Sequence, residues 1–437
     1  MNPLNRRQFL GTVAAGAAAV SPVRSLIAQV SSPSTDPSAP RKVKVGLIGV
    51  GWWGMVNARA AFKAGGLEVP AICDIDSEHL EKSAEEITKL QGWRPKTFKL
   101  YAELLETPGL EAVIISTPPQ WHALPFLAAL NKGMHIYLEK PVSYDVREGR
   151  AMVEAAAKRP QQVVQVGFQR RQSAAFKAVK QFIADGNLGR VVQAEAQINA
   201  KVGLKDPAHK APPPSLDWDL WCGPGPLIPY SEQVGHMNWR LEETYGQGHL
   251  YDWGIHMIDA ARVVLDLSAP RTVAAAGGLY QLKGRITTPD TMTAHFEYDR
   301  CPVSWRHRIW GSEEYTPEIN IGVTFLGENG TVWVNDNRWV HVPKAKGAER
   351  VVTDVRTDTG TAHLGEFLEA VRGKGKASCT IADAHLSTTA VKLAMIALKV
   401  GDRLVWDGAR EQIPGNREAS AFLKRDYRAP WKHPHSG

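Results

Sequence analysis

Residues 42–48 (KVKVGLI) form a short apolar run that passes straight into Gly49-Val50-Gly51-Trp52-Trp53-Gly54. Behind that turn come a helix-compatible stretch at 55–63 and a second apolar run at 68–73, which ends on Asp74, 20 residues after Gly54. A bare G-x-G-x-x-G is common by chance, and a glycine turn can be purely structural. Flanked by strand, helix, strand and acid, it predicts a βαβ unit with a dinucleotide-binding fingerprint. Gly49 permits the tight turn, Gly51 lets the backbone approach a pyrophosphate, and Gly54 lets the helix pack closely. The helix N-terminus then offers free N–H groups and partial positive charge to phosphates. Asp74 accepts from a ribose diol and repels a 2′-phosphate, so NAD is expected over NADP.

The alternation continues. A helix is predicted over 77–89 and a buried strand over 110–116. That strand ends in Ser116-Thr117-Pro118-Pro119-Gln120-Trp121-His122, at the carboxyl edge where ligands of open α/β sheets bind. A helix over 125–132 and a strand over 134–138 follow, the strand ending in Glu139-Lys140-Pro141. Repeated strand–helix units predict a doubly wound parallel sheet over 42–165.

Past Gly167-Phe168-Gln169-Arg170-Arg171 a helix is expected over 174–185 and a long strand over 191–200. Residues 203–248 are irregular and rich in Pro, Gly and Trp. Their Trp218, Trp221 and Trp239 are either stacking platforms for sugar rings or core beneath the loop. On a helix, Asp252 and His256 are four apart and share a face, where a carboxylate would raise and orient the imidazole. Three readings stay open here: an Asp252/His256 acid–base pair, a metal held by His249, Asp252 and His256, or a hydrogen-bonded core histidine. The metal is disfavoured, because one helix rarely supplies a whole site. Strand-like runs at 273–280, 291–298, 303–310, 319–326, 331–335 and 338–342, separated by Gly/Asn/Asp turns, predict an antiparallel sheet. Helices over 361–372 and 381–400 and an irregular tail complete the chain.

At the other end, Asn5-Arg6-Arg7-Gln8-Phe9-Leu10 and the Ala/Gly-rich run behind it predict a twin-arginine export signal over 1–29. The export machinery is thus an expected partner, and the expected location is periplasmic or otherwise exported. A Ser/Pro-rich tether follows over 30–41. Without Arg6, Arg7 and Arg24 the net charge falls from +7 to +4. With no basic block interleaved with aromatics, nucleic acid is not expected as a partner. The four cysteines, Cys73, Cys222, Cys301 and Cys379, show no ligand spacing and are expected to be buried free thiols; no metal is expected.

From about residue 42 onward, the fingerprint with Asp74, the STPPQWH segment, the EKP motif at 139–141 and DWGIH at 252–256 together resemble the Gfo/Idh/MocA oxidoreductase family. The resemblance implies an α/β fold: a Rossmann NAD-binding domain over 42–165 and a C-terminal α+β domain over 166–437 with a large, mainly antiparallel sheet. It implies catalytic roles for Lys140, Asp252 and His256, with the proton acceptor open between Lys140 and His256. It implies cofactor contacts from Gly49, Gly51, Trp52, Trp53, Gly54, Asp74, Ser116, Pro118, His122, Glu139, Lys140 and Gln169. The expected activity is NAD-dependent hydride transfer at a secondary hydroxyl of a sugar or polyol, with a tightly held cofactor and a homo-oligomeric assembly. Two alternatives accompany it: a redox-neutral NAD-dependent glycosidase or lyase, and a non-catalytic NAD-occupied binding protein.

Overall fold

The computed structural model describes residues 41–311 and 320–435, which pack as one compact unit; the expected export signal and all but one residue of the expected tether lie outside the described residues. Six parallel strands form the first sheet: β1 (Val43–Ile48), β2 (Leu67–Cys73), β3 (Lys96–Phe98), β4 (Ala112–Ile115), β5 (His135–Leu138) and β6 (Val164–Val166). Their spatial order, 3-2-1-4-5-6, puts the reversal of strand order between β1 and β4, where open α/β sheets bind ligands. Helices α1 (Trp52–Ala64), α2 (Ser77–Gln91), α3 (Tyr101–Leu104), α4 (Ala123–Asn131) and α5 (Val146–Ala157) connect the strands.

The glycine turn is explained by close approach. Gly49 sits at φ +84°, and a Cβ on Gly54 would lie 2.0 Å from the Gly49 carbonyl oxygen, so α1 can begin here only with glycine at both places. The α2 start is equally local, with the Asp76 carboxylate accepting from the backbone N–H groups of Glu78 and His79.

Beyond the first sheet come α6 (Ala174–Ala184), β7 (Val191–Asn199), α7 (Trp218–Cys222) and α8 (Ile255–Val264). Seven strands follow: β8 (Thr272–Gly278), β9 (Thr291–Glu297), β10 (Pro302–Arg308), β11 (Ile321–Gly327), β12 (Gly330–Val334), β13 (Arg338–Pro343) and β14 (Val351–Asp354). Then come α9 (Thr359–Val371), α10 (Ile381–Val400), β15 (Leu404–Val405) and α11 (Arg417–Ala421). Among the described residues, the nine strands of the second sheet run in the order 14-13-12-11-7-10-9-8-15 and only the β7–β10 pair is parallel, so the expected mainly antiparallel sheet is present. Helices α6, α8 and α10 cover one face of it.

The two halves share their cores. Leu364, Phe367, Leu368 and Val371 of α9 pack with Val43, Val45 and Leu47 of β1, so a C-terminal helix covers one face of the first sheet. Burying apolar side chains of this size contributes roughly 1.5–3 kcal/mol each, which makes the first sheet depend on a helix about 300 positions further along the chain. All four cysteines are buried and free, as expected. Trp218 and Trp221 stack at 4.5 Å between ring centroids and form, with Tyr230, Trp239 and Tyr245, a buried cluster beneath the long loop. For Trp218 the core alternative is the one observed.

Candidate active site

A cleft of about 600 Å³ runs over the carboxyl edge of the first sheet. Of the residues predicted to line it, Gly49, Gly51, Trp52, Trp53, Gly54, Asp74, Ser116, Pro118, Glu139, Lys140, Asp252 and His256 all do. His122 and Gln169 stand behind the wall instead. The His122 ring bridges the carbonyls of Pro141 and Thr117 at 2.7 and 2.9 Å, tying the loop after β4 to the one after β5. Gln169 donates to Glu139 Oε1 at 2.9 Å.

The phosphate end is a backbone cradle. A Cβ added at Gly51 would meet only His79, at 3.6 Å, so a side chain there would fill the cleft itself rather than protein. Beside it, Asp74 accepts from the N–H of Val50 at 2.8 Å and of Asp76 at 3.0 Å. Those bonds brace the carboxylate at the end of β2 and leave further lone pairs for a diol. Burial raises its pKa, against the pull of those amides and of His79 and His236. A glycine-lined cradle at a helix N-terminus with an acid at the end of β2 fits an NAD molecule. Wild-type protein is therefore expected to bind NAD at least ~10-fold more tightly than NADP, about 1.4 kcal/mol. Asp74→Ser combined with Ile75→Arg should narrow or reverse that ratio. Direct titration of both nucleotides checks it, and tighter NADP binding by the wild type would contradict the role of Asp74.

At the opposite end, β5 delivers Glu139 and Lys140. Glu139 Oε1 accepts from Asn57 of α1 at 2.9 Å as well as from Gln169. Burial raises its pKa, with Lys140 opposing. Gly167 makes room for it, since a Cβ there would stand 2.7 Å from Oε1. Lys140 Nζ donates to the Asp252 carbonyl at 2.6 Å and to Asp252 Oδ1 at 2.7 Å.

Here the expected Asp252–His256 pair is corrected. Leu250–Gly254 winds as a π-turn before α8 begins, so positions four apart no longer stack on one face. Asp252 turns to Lys140 and, through Oδ2, to Arg240 Nε at 3.0 Å. Burial opposes ionisation of Asp252, but the two cations outweigh it and hold the carboxyl below its usual range. His256 moves opposite to the expectation: burial first, then the charges of Arg170 and Lys140, push its pKa well below the ordinary value. The imidazole is neutral at pH 7, and its buried Nδ1 has no hydrogen-bond partner. His249 is a buried neutral ring beside His307, 5.3 Å between centroids. The proposed metal trio does not converge: among the described residues, His249, Asp252 and His256 do not form a ligand group.

Several lining residues lay outside the sequence argument. Arg240 lies over the Trp239 ring at 4.4 Å, Arg170 pairs with Asp336 at 2.9 Å, and Trp253 is 43% exposed at the cleft. At the adenosine-facing end, His236 bonds Asp76 at 2.8 Å and its ring lies tilted against that of His79, 4.2 Å between centroids. Arg240 and His236 come from a segment with no periodicity, whereas Trp253 lies inside the DWGIH motif and Arg170 beside the predicted Gln169.

Two family models match the chain. "Oxidoreductase family, NAD-binding Rossmann fold" covers residues 43–168, and "Oxidoreductase family, C-terminal alpha/beta domain" covers 173–433. A glycosyl hydrolase family 109 protein of Shewanella pealeana is 33% identical over 168 residues, 35% of this chain and only 37% of the relative's own length. Inositol 2-dehydrogenase 3 of Saccharopolyspora erythraea is 30% identical over 321 residues, 71% of this chain and 78% of the relative. Among solved structures, levoglucosan dehydrogenase in complex with NADH and levoglucosan superposes with a TM-score of 0.66 at 18% identity, over 84% of this chain and 99% of that one. That similarity is one of fold.

Proposed function

The chain belongs to the Gfo/Idh/MocA oxidoreductase family, and from that premise we propose that it is an exported, NAD-dependent oxidoreductase acting on a secondary hydroxyl of a sugar or polyol. One observation carries the reading: Lys140, held on Asp252, and a neutral His256 line the same cleft as the glycine cradle. Bound NAD would supply the hydride acceptor. His256, neutral at pH 7 but made a weak base by burial and by the charges of Arg170 and Lys140, receives the hydroxyl proton only as the hydride leaves the same carbon. Two of the Lys140 donor positions are taken by Asp252, which leaves one for a substrate oxygen in the cleft, where the ammonium would stabilise developing negative charge. Asp252 acts through Lys140 and Arg240 and not through His256. Trp253 offers an apolar face to the substrate ring. The polyol specificity of the Saccharopolyspora relative and the sugar derivative bound by the solved dehydrogenase support this substrate class.

Export on the Arg6-Arg7 motif, which lies outside the described residues, belongs to the same proposal. Twin-arginine export carries folded proteins, and little free NAD exists outside the cytoplasm. The cofactor would then stay bound through turnover, with a second substrate restoring its redox state. The Shewanella relative, a glycosyl hydrolase, favours a second reading: oxidation of a ring hydroxyl acidifies the neighbouring C–H, elimination and water addition follow, and the carbonyl is reduced again.

The test is to purify the mature protein without nucleotide, denature it and assay the supernatant for NAD. Sugars and polyols are then added to native protein while the nicotinamide absorbance is followed. Stoichiometric NAD and an absorbance change are expected. A protein that purifies empty and works only with exchangeable NAD would refute retention. A panel that leaves the absorbance unchanged and releases no aglycone refutes both catalytic readings.

A further inference from the structure

The tail that the sequence leaves irregular is fastened at three places, and two of the three reach the lining of the cofactor cleft. We propose that residues 422–435 are a strap that keeps NAD in its cleft, with Arg428 and Trp431 setting how fast it leaves. The inference rests on the reading that the cleft takes NAD.

The first fastening is on the Rossmann domain. The Arg425 guanidinium pairs with Glu148 at 3.1 Å and lies 3.9 Å from the centre of the Tyr144 ring. Its backbone N–H donates to Asp145 Oδ2 at 3.0 Å, Tyr427 Oη donates to Glu148 Oε1 at 2.9 Å, and His433 reaches Asp145 at 3.1 Å. Glu148 is fully buried, so this anchor is costly to break: uncovering one partner of a buried ion pair leaves an uncompensated charge.

The second fastening is on the roof of the cleft. Arg428 donates to the Asp219 carboxylate at 2.6 Å and its carbonyl at 2.8 Å, and to the Gly223 and Gly225 carbonyls at 3.1 and 3.3 Å. One guanidinium thus holds both α7 and the turn after it, and Leu220 and Trp221 of that helix line the cleft.

The third is Trp431, itself a lining residue. Its ring stands edge-on to Trp121 at 5.6 Å, Trp121 donates to the Leu220 carbonyl at 2.8 Å, and Tyr101 meets Trp121 at 6.1 Å. Asp74 N–H donates to the Phe98 carbonyl just before Tyr101, so this aromatic wall belongs to the adenosine end marked by Asp74. Arg428 lies 4.9 Å from the Trp431 ring and joins roof to wall. The strap therefore crosses from the buried Asp145/Glu148 anchor to the roof over the adenosine end. A dinucleotide leaving by that end has to part Trp431 from Trp121 or lift α7 away from Arg428.

The experiment loads full-length protein with NAD, desalts it, and follows release of the nucleotide into an excess of NAD-consuming enzyme. Release is expected to be at least ~10-fold faster in Trp431→Ala and in Arg428→Ala than in wild type, with Trp431→Phe close to wild type. Melting temperature is measured alongside, at nucleotide saturation, because a purely structural role would lower it without a selective gain in release rate at 25 °C. Should Arg428→Ala fail to fold, Trp431→Ala and its Phe rescue decide the matter. Unchanged release in Trp431→Ala overturns the strap and leaves the NAD reading standing. A wild type that takes up no NAD overturns both.

Discussion

Lys140→Met is expected to keep the fold and the bound NAD while lowering hydride transfer by at least about 100-fold, the low end of what one preorganised electrostatic donor contributes. That factor corresponds to about 2.7 kcal/mol of transition-state stabilisation. The fold should survive because methionine matches the length of the lysine stem and Asp252 keeps its contact with Arg240 at 3.0 Å. The chemistry should not, since no other lining group places a positive charge on the Asp252 carbonyl and carboxylate together. Single-turnover absorbance, with melting temperature and NAD content as controls, separates loss of chemistry from loss of structure. His256→Asn, which removes the neutral proton acceptor, is the companion variant and should lower the same step without changing NAD content. Near-full turnover by the methionine variant would remove Lys140 from the reaction and leave it as a tether for Asp252.

How much of this was legible in the sequence depends on what kind of interaction sets each feature. The β1–turn–α1–β2–Asp74 unit was readable because it is local: a positive φ at Gly49 and a 2.0 Å approach at Gly54 admit almost no residue but glycine. Lys140 was readable because a strand end of a parallel sheet necessarily opens on the ligand edge. The Asp252–His256 geometry was not, because one extra residue per turn at Leu250–Gly254 redirects both side chains, and a π-turn leaves no periodic trace. Arg240, His236 and Trp431 could not be placed either. Each sits on a loop or tail whose path is set by distant partners such as Asp252, Asp76 and Trp121. The helix at Val146–Ala157 was missed despite a usable signal. Asp145 and Glu148 stand three apart; the Asp145 carboxylate accepts from the Glu148 N–H at 2.8 Å, the N-cap half of a capping box. The completion of the first core by α9 had no signal at all, being a contact between elements some 300 residues apart.

Stability is expected to fall steeply as pH drops from about 6.5 toward 4, and buried histidines are the cause. Burial lowers His249 and His363 to about 3 and His307 to about 4, with the neighbouring His307 adding to the effect on His249. The hydrogen bonds agree. His307 Nδ1 accepts from Trp305 Nε1 at 3.0 Å while Nε2 faces the Pro289 carbonyl, so the neutral tautomer is satisfied and a second proton would confront a donor. His363 Nδ1 likewise accepts from Gln165 Nε2 at 2.9 Å. In the unfolded chain these rings protonate near 6.5; folded, they stay neutral until pH 4 or below. The unfolded state therefore binds more protons throughout that window, and stability declines as pH falls. At pH 5 each ring costs about 2 kcal/mol, from 1.36 kcal/mol per pH unit. Three together reach about 6 kcal/mol, a large share of the roughly 5–15 kcal/mol that holds a typical domain together. Asp74, Glu139 and Glu148, raised by burial, work in the opposite sense near their own titration and reduce the net loss. Melting temperature measured from pH 7.5 to 4.5 should drop progressively below 6.5, with His363→Gln flattening the slope by about one proton. A melting temperature that stays level between pH 7 and 5 would mean that these rings are charged in the folded protein, which the Trp305 and Gln165 donors are placed to prevent.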